Sequence, residues 1–161
     1  MRVVALLLLG LGAWFPGQSQ SAELPPEIVG VWATPETEFD ASFNLLGGLA
    51  LYVASSGVVA VGGAPLPVMR NAGGQVVRPL IGIGGSATYD AATARLTITL
   101  QSGSQSRSVV ADYKAVDRTI SMALEAAQPS KLSRRSAVVP EAMERAVVQP
   151  PQPESPVSGN R

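Results

Sequence analysis

The chain has 161 residues, 12 basic and 12 acidic side chains, and neither cysteine nor histidine. Those absences exclude disulfide staples, Ser-His-Asp and Cys-His catalysis, and the commonest metal ligands. Balanced charge without a dense basic run argues against a nucleic-acid partner, and the length suits one domain.

Residues 1–22 read as an export signal. Arg2 supplies the positive charge, Val3 to Trp14 an apolar run, and Pro16 to Ala22 a polar stretch of small residues and helix breakers. Cleavage after Ser21 and cleavage after Ala22 both fit. The run is shorter than the ~20 residues a spanning helix needs, and a lipid anchor at the cut needs a cysteine. The expected setting is periplasmic or secreted, with no stable membrane insertion after cleavage.

From residue 23 to 125 the periodicity is that of strands. Ile28 to Thr34 reads as the first strand. Leu46 to Ala54 and Val58 to Val61 form a hairpin around Ser55-Ser56-Gly57. The stretch Gly62 to Gly85 holds Pro65, Pro67 and Pro79, which confines strands to edges and ends. It predicts a long loop and one irregular strand over Gln75 to Ile83. In Arg95 to Leu100, the residues Leu96, Ile98 and Leu100 alternate with Arg95, Thr97 and Thr99, the period of a half-buried strand. Thr119 to Leu124 repeats that alternation.

The last two strands belong to a weak internal repeat. Tyr89-Asp90-Ala91-Ala92-Thr93-Ala94-Arg95-Leu96 aligns without gaps on Tyr113-Lys114-Ala115-Val116-Asp117-Arg118-Thr119-Ile120. Each copy predicts a hairpin, and the loop Gln101 to Ser106 joins them into a meander. Duplication and the common grammar of hairpins both account for the likeness. The expected fold is all-β: a small antiparallel barrel, or alternatively a β-sandwich, of about seven or eight strands.

From residue 126 to 161 the composition shifts to Pro, Gln, Ser and Arg, and the alternation ends. Such a segment buries too little apolar surface to offset its ordering entropy and reads as a disordered tail. A short helix is foreshadowed at 140–148, where Pro140 and Glu141 suit a helix start and Val139, Met143 and Val147 share a face.

Candidate chemistry is sparse. Glu36, Glu38 and Asp40 alternate in one short stretch, a pattern that suits a solvated loop far better than a paired-carboxylate site. Lys114 lies in a predicted strand without a serine motif, and Lys131 in the tail. Gly82-Ile83-Gly84-Gly85-Ser86 leads into a strand rather than a helix N-terminus, so it is no phosphate cradle. No enzyme, metal or cofactor is expected.

Ile28-Val29-Gly30-Val31-Trp32 resembles the Gly-x-Trp first-strand signature of lipocalin-like, calycin-type barrels. The resemblance implies a tryptophan closing one barrel end, a glycine where chains pass closely, and a basic residue near the last strand over the indole. Arg118, opening the last predicted strand, matches that place. Avidin-like barrels and small periplasmic protease-inhibitor barrels begin similarly, and a core tryptophan of a β-sandwich fits the same residues.

Two functions follow as expectations. One is a non-enzymatic binding module for a small apolar molecule in a barrel lumen, with Trp32, Tyr52, Tyr89 and Tyr113 as candidate ligand-binding residues. The other is an interaction module for an envelope or secreted protein, such as an adaptor or a hydrolase inhibitor, with Glu23-Leu24-Pro25-Pro26 as the engaging segment.

Overall fold

The computed structural model describes residues 23–76, 81–124 and 128–141. The expected signal at 1–22 and all but the start of the foreshadowed helix at 140–148 lie outside these residues. Among the described residues nine strands follow one another: β1 (Gly30–Ala33), β2 (Glu38–Phe39), β3 (Leu45–Val53), β4 (Val58–Ala64), β5 (Ile81–Asp90), β6 (Arg95–Ser102), β7 (Gln105–Lys114), β8 (Thr119–Met122) and β9 (Ser130–Ser136).

Pairing runs β1-β9-β8-β7-β6-β5-β4-β3, and β1 also pairs with β3. The result is a closed antiparallel barrel of eight strands, with β2 added to one end of β3. Closure leaves none of those eight strands with a bare edge, which an open sandwich cannot achieve. The barrel is therefore the all-β form adopted.

Alternation sorts the side chains. On β6, Leu96, Ile98 and Leu100 are buried in the lumen while Arg95 and Thr97 are exposed. On β7, Val109, Ala111 and Tyr113 point inward. Trp32, Leu51, Val53, Val59, Val61, Ile120, Met122 and Leu132 complete the inner core. Burying such residues contributes roughly 1.5–3 kcal/mol for each large side chain.

The barrel wall is apolar on both faces along β1, β3 and the start of β4. Val31, Ala33, Leu45, Ala50, Tyr52 and Ala60 form a second cluster on the outside, covered by Phe39, Phe43 and Val139. The β1–β3 connection folds over that face. Thr37 Oγ1 donates to the Leu49 carbonyl at 2.9 Å, and Asp40 accepts from the Ser42 and Asn44 amides at 2.8 and 2.9 Å. Of the three alternate acids, Asp40 thus organises a loop, while Glu36 and Glu38 are exposed.

The repeat is real as geometry. Tyr89 and Tyr113 both end long strands and meet edge to face, 6.4 Å between ring centroids. Ala94 and Arg118, equivalent in the alignment, both adopt left-handed backbone at φ 53° and 50°. A turn followed by a left-handed residue is a common hairpin closure.

Two expectations need correction. The segment Ser130–Ser136, read as part of a disordered tail, is the strand that closes the barrel between β8 and β1. Only Leu132 of its residues is fully buried, so no alternation of apolar residues announces it. The irregular strand expected over Gln75 to Ile83 is displaced: Val76 makes an isolated bridge to Arg70, β5 begins at Ile81, and 77–80 lie outside the described residues. Gly82 to Ser86 lies within β5 itself.

Two consequences can be measured. A chain stopped after Gln128 lacks the closing strand and should lose its cooperative urea transition, whereas one stopped after Pro140 should keep it. Burial pushes the Tyr52 phenol up to about 12, with the Asp40 charge adding to the effect. The folded state thus holds this proton where the unfolded chain releases it. Stability is complete below about pH 10 and falls as pH rises toward about 12, by at most about 1.4 kcal/mol per pH unit from this group. Denaturant titrations at stepped pH should show that slope flattened in Tyr52→Phe.

Candidate functional site

The two ends of the barrel differ. At one end lie the segment 23–29 and the turns after β3, β5 and β7. Leu24 and Ile28 are buried there and pack into the inner core. The Leu24 amide donates to the Ser55 carbonyl at 2.9 Å, so the segment expected to engage a partner is bound to its own barrel.

Trp32 lies beneath this cap. Its indole Nε1–H donates to the Ile28 carbonyl at 2.8 Å, and Tyr113 meets its ring edge to face at 6.0 Å. The guanidinium carbon of Arg134 is 5.8 Å from the indole centroid. Nη2 of Arg134 donates to the Pro26 carbonyl at 2.8 Å and to the Val29 carbonyl. Its buried Nε has no hydrogen-bond acceptor among the described residues, which leaves the indole face as compensation. The cation over Trp32 is therefore Arg134 of β9, not Arg118. Arg118 is exposed in the turn between β7 and β8.

The close passage expected of Gly30 is present. Its φ is +141°, and a β-carbon there would collide with the Ser136 carbonyl oxygen of β9. One residue later the β1–β9 register shifts, with Val31 opposite Ser136 and Trp32 opposite Arg134. The bulge leaves Arg135 as the extra residue; it donates to the Thr34 and Pro35 carbonyls at 3.0 and 2.7 Å. Two adjacent arginines thus fasten β9 to the chain before and after β1.

Among the described residues the opposite end is open. A cavity of about 800 Å³ is lined by Val61, Ile83, Leu100, Val109 and Leu124 with Ser102, Gln105, Ser106 and Arg107. A second, of about 440 Å³, shares Val61, Ile83 and Leu124 and adds Leu49, Gly63, Ala64 and Pro65. The shared residues make the two one continuous mouth. Such volumes are those of small-molecule sites, which are mostly apolar with a few placed polar groups. Deeper in, the lumen is filled by the core already described.

The four aromatics named from sequence do not converge on this mouth. Trp32 and Tyr113 belong to the filled end, and Tyr89 packs against the same core. Tyr52 is on the outer face, its hydroxyl donating to the Phe43 carbonyl at 2.9 Å. The apolar mouth residues went unnoticed because nearly all are ordinary aliphatics at inward strand positions, with Leu124 just past β8.

Among the described residues no group of acids could hold a metal ion, and no helix is long and apolar enough to cross a membrane. The fold and site define an antiparallel eight-strand barrel with one filled end and one open, largely apolar mouth. Comparison with protein-family models, with curated proteins and with solved structures gave no match in any of the three.

The roles of the two arginines separate in stability measurements. Arg134→Ala should cost about 2–3 kcal/mol, because it strips two carbonyls of a charged donor and uncovers the indole. Arg118→Ala, on an exposed turn, should stay within about 0.5 kcal/mol of the parent. Equal effects in urea denaturation would remove Arg134 from its place at the seam.

Proposed function

We propose that the chain is an exported, non-enzymatic binding module of lipocalin-like type, holding a small apolar molecule at the open mouth of its barrel. The observation that carries this reading is the mouth itself. Leu49, Val61, Ile83, Leu100, Val109 and Leu124 surround an opening that the side chains of the described residues leave unfilled. The packing of Arg134 over Trp32 supports the lipocalin-like part of the reading, as does closure by a meander of eight strands.

The ligand enters by the mouth and stops against Leu100 and Val61, since the other end is plugged by Leu24 and Ile28. The driving force is removal of apolar surface from water, about 25 cal/mol per Å². The alternative, a protein-interaction module, has its proposed engaging segment occupied: Leu24 is buried and hydrogen-bonded to the β3–β4 turn.

Gly63 makes the test clean. It lines the mouth, its backbone is not left-handed, and a β-carbon there meets nothing within 4 Å. Gly63→Phe should fill the mouth without disturbing the fold. Native mass spectrometry of the protein from its own source should show a retained small molecule that Gly63→Phe lacks. An environment-sensitive apolar dye should bind the variant at least about tenfold more weakly, at unchanged thermal midpoint. A dye that binds both proteins alike would remove the mouth as the site. A bare mass with a stoichiometric protein adduct would favour the interaction module.

A further inference from the structure

The inward positions of β4 are Val59, Val61 and Gly63. The two valines fill the lumen, and the third position, at the rim, has no side chain. Glycine inside a strand forgoes packing and costs backbone entropy, so such a position needs a reason. For other strand glycines the reason is crowding. A β-carbon at Gly30 or Gly85 would collide with a carbonyl oxygen of the adjacent strand, and one at Gly47 with Leu66 and Val68. Gly63 has no such neighbour. Its backbone is not left-handed, and among the described residues nothing lies within 4 Å of the place its β-carbon would take.

What the missing side chain does is leave room. Gly63 lies opposite Leu49 in the β3–β4 register and lines the smaller cavity, of about 440 Å³, with Ala64 and Pro65. That cavity joins the larger one, of about 800 Å³, through Val61, Ile83 and Leu124. The mouth therefore has two lobes. It is broad across the barrel and shallow along the axis, because Leu96, Ile98 and Met122 occupy the lumen below. A third valine in the β4 series would intrude on the smaller lobe.

We propose that Gly63 sets the width of the ligand, which is a branched or ring-bearing apolar molecule that fills both lobes and packs against the β4 backbone. A single unbranched chain would leave the smaller lobe to water. The inference rests on the mouth being the binding site and adds the shape of what it takes. Strand glycines mark places where a ligand approaches the backbone closely. Aliphatic walls reward contact area rather than direction, so a molecule that fills both lobes is favoured over one that fills the larger alone.

Two alcohols with ten carbons and one hydroxyl each, 1-adamantanol and 1-decanol, test width at constant functional group. Each competes with the apolar dye on the full chain and its variants. Gly63→Val should weaken 1-adamantanol at least about tenfold and leave 1-decanol within about twofold. Gly63→Ala should act in the same direction and less. Gly82→Val is the control, because Gly82 lies on the exposed outer face of β5 and a β-carbon there also meets nothing within 4 Å among the described residues. It should change neither competitor. Both valine variants should melt no lower than the parent, since a β-branched residue suits a strand better than glycine.

Equal loss of both alcohols in Gly63→Val, or loss of neither, removes Gly63 as the determinant of width while the apolar mouth stands. A Gly63→Val protein that melts well below Gly82→Val overturns the inference too, by assigning the glycine to packing. If neither alcohol displaces the dye from the folded parent, the binding reading fails and the inference with it.

Discussion

The barrel exists because its first and last strands meet, and beside the β1–β9 ladder Arg134 is the side chain that ties that meeting to the rest of this end. Arg134 reaches from β9 across β1 to the carbonyls of Pro26 and Val29 while its guanidinium lies near the face of Trp32. A single side chain thereby fixes the seam, the capping segment and the ring that fills this end. Its position requires Gly30, because a β-carbon there would push β9 away at Ser136. It also requires the register shift that brings Trp32 opposite Arg134. Once the seam is set, the rest of the meander follows from alternation and short turns.

This arrangement shows how a chain without cysteine stabilises a small domain. The inner core is one continuous cluster from Leu24 to Leu132. A second cluster outside β1, β3 and β4 adds apolar burial that a one-layered barrel wall normally lacks. The wall is thus buried on both sides over part of its circumference. The opposite arc, along β6 and β7, has a wet outer face with Arg95 and Asp112 paired at 3.1 Å. Exposed pairs of this kind contribute little, so this arc is held by its inner face and its ladders alone.

Much of this was legible where one face is dry and the other wet. β6 and β8 announce themselves through Leu96-Thr97-Ile98-Thr99-Leu100 and Thr119-Ile120-Ser121-Met122. The repeat correctly placed both hairpins; the left-handed residue at the same point of each, Ala94 and Arg118, is what the structure adds. Legibility failed where a strand's partners, rather than its own pattern, decide its fate. β9 has Leu132 as its one fully buried side chain and is recruited by the unsatisfied flanks of β1 and β8. The face of Tyr52 was undecidable from sequence, because Leu51 and Val53 inside are matched by Ala50 and Tyr52 outside. The cation over Trp32 was assigned to Arg118 because the strand bearing Arg134 had not been recognised. The mouth could not be read at all: its aliphatic residues come from six strands or loops and look like core until the barrel is closed.

The seam has a consequence for how the molecule comes into being. Arg134 and Val29, which must meet, are 105 residues apart. Every other contact between neighbouring strands of the meander is local, so hairpins can form as the chain emerges. Shutting the ring must await its final strand, and contacts of such separation carry the largest loop-closure cost. A polypeptide whose Ser136 has not yet emerged is a curled ribbon of hairpins with both flanks bare. The ring therefore stays open until β9 is available and then shuts through contacts made last.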